Sequence, residues 1–247
     1  MTTIQHRPAE PSTLAARPPE GSPIGPARAG GVLGILFVVI TIGALIARGD
    51  GPLWDDPIDT IRTFWMDHGD RYLVGQYVVS LAAVILFSGF LVVLSTELGR
   101  RSRTADGVSR LVMLAGGIHL VFVLAADTAW ATLASSVDRL DDQSLLLLTS
   151  LDRGAYQGGG FTMGLFVAAT SVAILTGDAF PRWLGIAGFV PAVGLFVSPL
   201  SILSDTSEGA LQFIGFFSSL LTMLFIVSLS VTILRRRPTT GSETAGA

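Results

Sequence analysis

The sequence predicts an all-α, polytopic membrane protein, a bundle of six transmembrane helices. Continuous apolar runs recur along the 247 residues, each near the roughly 20 residues a helix needs to cross the hydrocarbon. Mean hydropathy is +0.61 and only 14% of residues are charged. The runs do not alternate apolar with polar, as the strands of a membrane β-barrel would. The third observation is where the arginines fall, and it sets the orientation once the elements are in place.

Residues 1–30 are rich in Pro, Ala and Gly, with Pro8, Pro11, Pro18, Pro19, Pro23 and Pro26, and carry no apolar period. That composition predicts a disordered cytoplasmic tail. The run begins only at Gly31 with no clear cleavage site after it, so it is read as a span rather than a secretory signal. Residues 31–234 form the expected six-helix domain, and 235–247 a second cytoplasmic tail.

Gly31–Ala47 is the first span. The loop Arg48–Tyr72 follows. Within it Asp56-Pro57 has the pattern of an N-cap followed by Pro at the first helical position. Ile58, Ile61 and Trp65 then share one face, which predicts a short amphipathic helix lying in the membrane interface. Leu73–Thr96 is the second span, and Glu97–Asp106 a short arginine-rich loop. Val108–Ala134 is the third span and Ser135–Gln143 an acidic loop. Ser144–Leu151 reads as a helical lead-in to the fourth span, Tyr156–Thr176. After a turn at Gly177–Pro181, the fifth span is Arg182–Leu203. Pro191 lies inside it and should kink it, because proline lacks the N–H and crowds the preceding turn. Ser204–Gly209 is a polar loop and Ala210–Leu234 the sixth span.

With the N-terminus inside, the cytoplasmic segments hold eleven of the sixteen arginines: Arg7, Arg17, Arg28, Arg100, Arg101, Arg103, Arg110, Arg182, Arg235, Arg236 and Arg237. The outer side holds Arg48, Arg62, Arg71, Arg139 and Arg153. Basic residues concentrate in short cytoplasmic loops, so both termini are expected in the cytoplasm of a bacterial inner membrane. Thirteen of nineteen acidic residues fall on or near the outer side. This fits ordinary solvated loops, or a field that attracts cations to the outer mouth.

Composition removes several chemistries. Cysteine and lysine are both absent, which excludes disulfides, thiolate metal sites and a Schiff-base lysine. Three histidines, His6, His68 and His119, are too few for a multi-histidine di-iron centre. No nucleophile elbow, zincin motif or phosphate-binding loop is present. No cofactor, metal or nucleic-acid partner is expected; the surrounding partner is the lipid bilayer.

The candidate chemistry centres on Gly107–Ala134. Asp127 is a carboxylate within an apolar run, at an insertion cost of roughly 2.5–3.5 kcal/mol near a helix centre, so it should face the bundle. His119 lies eight residues earlier, about 80° around and ~12 Å along the helix. It is either a proton relay or a structural hydrogen-bond donor. Gln76, Asp152, Arg153, Gln157, Asp205, Glu208 and Gln212 gather at similar depth. Either Asp127 or Asp152 is placed to pair with Arg153, closing an outer polar pocket. Gly160, Gly164 and Ala168 form a small-residue ridge for close helix contact, inside the chain or in a homo-oligomer or membrane partner.

Pro181-Arg182-Trp183-Leu184-Gly185, a turn between late spans, resembles one found in uncharacterised actinobacterial membrane proteins of the domain-of-unknown-function type, as does the Leu151–Leu165 stretch. The resemblance covers roughly the second half of the chain. It implies a helical bundle in the plasma membrane and carries no activity or catalytic residue. The leading expectation is a non-enzymatic bundle with a small outer-facing pocket for a ligand or partner. The alternatives are a proton- or cation-linked small-solute permease, and an enzyme acting on a lipid or quinone.

Overall fold

A computed structural model describes residues 25–99, 103–203 and 209–236. The tail before residue 25, Arg100, Arg101, Asp205, Glu208 and the tail after Arg236 lie outside the described residues. Helices make up most of the described residues, with no strand among them, and six segments are long and apolar enough to cross a membrane.

The first helix, α1 (Pro26–Arg48), starts inside the segment expected to be tail, because Pro26 at the first helical position is pre-set for helix entry. It ends at Gly49, whose φ of 77° suits glycine. Helix α2 (Ile58–Ala82) passes through one π-helical turn, Ala83–Phe87, into α3 (Ser88–Gly99). These form one 42-residue rod. Then come α4 (Arg103–Ser136), α5 (Asp142–Thr176), α6 (Arg182–Val197) with a 3₁₀ continuation Ser198–Leu203, and α7 (Ala210–Arg235).

Two expectations about the first loop are corrected. The amphipathic helix at Ile58 does not lie separately in the interface; it is the first part of α2. Its apolar face, Ile61 and Trp65, is buried against Leu133 and Val137 of the α4 end and Leu145 of α5. An apolar stripe fits a protein surface as well as a membrane surface, and here the protein supplies one. Nor does Asp56 cap the helix: Pro57 takes the cap position, and Asp56 Oδ2 accepts from the Leu53 N–H at 2.7 Å. Likewise α5 runs unbroken from Asp142, so the fourth span and its lead-in are one helix. At 1.5 Å per residue, the α2–α3 rod is about 60 Å long, twice the ~30 Å hydrocarbon thickness. The ends of α2, α4 and α5 therefore stand beyond the bilayer and pack on one another.

Arg62 locks that projecting part. Its Nη1 donates to the Val137 and Leu140 carbonyls at 2.8 and 2.9 Å, satisfying acceptors left at the α4 end. Its Nη2 pairs with Asp142 at 2.8 Å. The main core lies at and below mid-bundle around Phe87, Phe90, Phe166, Leu94, Ile226 and Leu229, all essentially inaccessible. Small residues bring its helices together. A side chain at Gly31 would meet Leu234 and the Ser230 carbonyl, so α1 closes against α7. At Gly160 it would meet Pro199 and the Leu195 carbonyl, and at Gly164 Leu195 and the Ala192 carbonyl. Ala168 packs against the core. The glycine ridge is thus taken up within the chain, between α5 and α6.

Candidate functional site

The buried face of the second rod changes character along its length. It reads Ile61, Trp65, Gly69, Tyr72, Gln76, Ser80, and then Phe87, Phe90, Leu94, Leu98. Four-residue steps put Tyr72, Gln76 and Ser80 on one stripe. The π turn falls where polar gives way to apolar, and such turns are frequent at functional positions.

Opposite that stripe, α4 presents Asp127 and, three residues on, Trp130. Gln76 Nε2 donates to Asp127 Oδ1 at 2.6 Å. The Ser80 hydroxyl donates to Asp127 Oδ2. From α1, Arg48 Nη1 donates to Gln76 Oε1 at 2.7 Å. The Arg48 guanidinium stacks over the rings of Tyr72 (4.5 Å) and Trp130 (4.8 Å). Such stacking desolvates a cation while its charge meets the negative ring faces. Asp152 of α5 lies beside Trp130 and within electrostatic reach of Arg48 and Asp127. The result is a relay, Arg48–Gln76–Asp127–Ser80, with a second carboxylate behind Trp130.

The expected pairing of Asp127 or Asp152 with Arg153 is replaced by other contacts. Arg153 Nη2 donates to the Ser201 carbonyl at 2.9 Å, and its guanidinium covers Trp54 at 3.6 Å. Gln157 Nε2 donates to Ser201 Oγ at 2.8 Å. These two residues fasten α5 to the 3₁₀ segment and the Gly49–Pro57 loop. They face away from Asp127 because the α-helical turn separates Asp152 from Arg153 by about 100°. His119 is a third environment: Nδ1 donates to the Gly159 carbonyl at 3.0 Å, and the ring meets Phe87 edge-on at 6.3 Å. The six anticipated residues therefore divide into Asp127 with Gln76, Asp152 behind Trp130, Arg153 with Gln157, and His119 alone.

Arg48, Ser80, Tyr72 and Trp130 were not among the anticipated site residues. Arg48 sits where the span meets the loop, so its sequence position marks a helix end and nothing more. Ser80 carried a usable signal, since it follows Gln76 by one helical turn.

Asp127 lines a groove of about 550 Å³ between α2 and α4. Leu73, Tyr77 and Leu124 supply apolar wall; Gln76, Ser80, Thr128, Thr132, Ser135 and Ser136 supply polar wall. The hydroxyls of Thr128, Thr132 and Ser135 bond back to carbonyls of their own helix, so each donor is satisfied and each oxygen can still accept. The groove thus offers oxygens and one carboxylate. His119 is not among its lining residues.

Fold and site define a polytopic helical membrane protein with a polar relay at one end of its bundle. The chain belongs to the family described as a domain of unknown function, DUF4386, whose model matches residues 32–233. No curated protein matches the chain, and no solved structure does.

Proposed function

We propose that this protein is a non-enzymatic binding protein of a bacterial inner membrane, and that the Asp127 groove takes a small ligand carrying a positive charge, such as an organic ammonium ion. One observation carries the reading: a fixed carboxylate stands in an oxygen-lined groove. Two carboxylates, Asp127 and Asp152, lie within electrostatic reach of one guanidinium, Arg48. Among the described residues Arg48 reaches Asp127 only through Gln76, so a cation in the groove would be the direct counter-ion of that carboxylate. Asp127 is held from both sides by Gln76 and Ser80. That suits a positioned acceptor better than a base that must gain and lose protons. Below the groove the bundle is filled by Phe87, Phe90 and Phe166, which favours binding over passage. The excess of arginine on alternate segments supports cytoplasmic termini and an outward groove.

The test is thermal stabilisation of the purified full chain by tetramethylammonium and ethylammonium, with matched sodium controls. The expected result is a saturable rise in Tm that Asp127→Asn abolishes. Equal responses in the two proteins would overturn the reading. Sidedness is tested separately. The native chain has no cysteine, so S135C should react with an impermeant maleimide from the periplasmic side.

A further inference from the structure

A second groove lies on the other side of α2, between α2 and α1. Its volume is about 660 Å³, within the roughly 300–1,000 Å³ of small-ligand sites. Ile40, Ala44, Val74 and Val78 form its apolar wall; Gly43 leaves its floor open, while Gly75 lets α2 close on Arg48 of α1. At its mouth stand Asp70 and Arg71. Arg71 is anchored there: Nε and Nη2 both donate to the Ala47 carbonyl at the end of α1, at 3.1 and 2.7 Å. Its Nη1 and the Asp70 carboxylate carry no bond to the described residues.

We propose that this groove is a binding site for a zwitterionic phospholipid, with phosphatidylethanolamine the occupant that its charges fit. The apolar wall faces the membrane, so an acyl chain and not water fills it. Arg71 Nη1 meets the phosphate and Asp70 meets the ammonium. One cation and one anion side by side match a headgroup that carries both. An anionic headgroup fits worse, because Asp50, Asp55, Asp56, Asp59 and Asp67 lie on the same end of the bundle and repel it within a Debye length. Val74 and Val78 are exposed and gain their cover from lipid. Arg48 also lines this groove, but its guanidinium is engaged by Gln76, Tyr72 and Trp130. The site uses neither Asp127 nor any lining residue of the α2–α4 groove, so D127N separates it from ammonium binding.

Native mass spectrometry of the full chain released from nanodiscs tests this, using discs of equal parts phosphatidylethanolamine and phosphatidylglycerol. Retained lipid should favour phosphatidylethanolamine by about fivefold, the worth of one favourable surface charge contact. D70N should reduce that preference, and R71Q should reduce retention of both lipids. G43L should displace the acyl chain and lower retention severalfold. A Cβ there meets nothing within 4 Å and leucine favours helix over glycine, so the variant should fold. D127N should leave retention unchanged. Equal retention of the two lipids, unaltered retention in G43L, or a change of oligomeric state in G43L without lipid loss would each overturn the proposal.

Discussion

At the end of the bundle that carries Glu97 and Phe180, the helices meet through phenylalanine, leucine and close glycine contacts, with Arg236 tying α7 to Glu97 at 3.3 Å and covering Phe180. At the end that carries Arg48 and Trp130, they meet through a cation between two rings, an amide, a hydroxyl and two carboxylates. The same rod, α2–α3, contributes to both. Below the π turn its face is apolar, and packing is decided by shape. Above it the face is polar, and packing is decided by hydrogen-bond partners. In lipid the first kind of contact gains little from the hydrophobic effect, since acyl chains are as apolar as leucine. The second kind is directional, and a buried polar group without a partner is costly. The apolar end is therefore suited to hold the bundle, and the polar end to recognise something.

The largest effect should come from the apolar end. Phe87 is fully buried and touches Phe37, Phe90 and Phe166. Phe87→Ala should destabilise by about 2–3 kcal/mol, less than the roughly 3–5 of a water-soluble core, because the removed ring would otherwise face lipid and only packing is lost. Unfolding in mixed micelles measures it. Ammonium binding by the surviving folded fraction should be normal. Loss of binding without loss of stability would break the division between the two ends.

Next in size is Arg48→Gln. It removes the donor to Gln76 and the charge between Tyr72 and Trp130. About 1–3 kcal/mol of stability should go, the usual cost of unmaking a partly buried charged hydrogen bond. Trp130 emission should shift as its ring loses the guanidinium. A variant as stable as the parent with unchanged Trp130 fluorescence would show that the relay is not holding the polar end.

How much of this was readable beforehand follows the same division. Span number and approximate ends were readable because apolar length is a local property; each expected span overlaps an observed helix. Asp127 and Gln76 were readable as polar residues in or beside apolar runs. Arg48 was not, since its partner Gln76 is 28 residues away and nothing local separates a helix-end arginine from a site arginine. The continuity of α2 was hidden for a different reason: Ile58, Ile61 and Trp65 specify an apolar partner without saying whether it is lipid or Leu133. Similar depth suggests that Asp127 or Asp152 pairs with Arg153, but depth along a helix does not say which way a side chain faces, and Asp152 and Arg153 lie about 100° apart around α5.

His119 sharpens the comparison at the boundary between the two ends. Its imidazole serves the Gly159 carbonyl, which also accepts from Thr162 at 3.0 Å. His119→Ala should therefore cost only about 1 kcal/mol and leave the ammonium response as in the parent. A proton-relay role would instead abolish any pH-dependent part of that response. Titrating tetramethylammonium stabilisation at several pH values in both proteins separates these outcomes.

The smallest effect lies outside the membrane, where α5 begins. Asp141 Oδ1 accepts from the Ser144 N–H at 2.8 Å and caps the helix. Hydrogen bonds from Ser144 hold its carboxyl below the ordinary value of about 3.9. A carboxyl lowered in the folded state stabilises fully above its unfolded value, and that contribution fades as pH falls through the folded one. Tm of the parent should thus decline slightly more than that of Asp141→Ala on acidification below about pH 4, and the two curves should run parallel above pH 5. The group is fully solvated, so the difference should be small and reduced by salt. A gap that persisted unchanged to the lowest pH would mean that the Asp141 contribution is not carried by its charge, and that the α5 start is held by the Arg62–Asp142 pair at 2.8 Å instead.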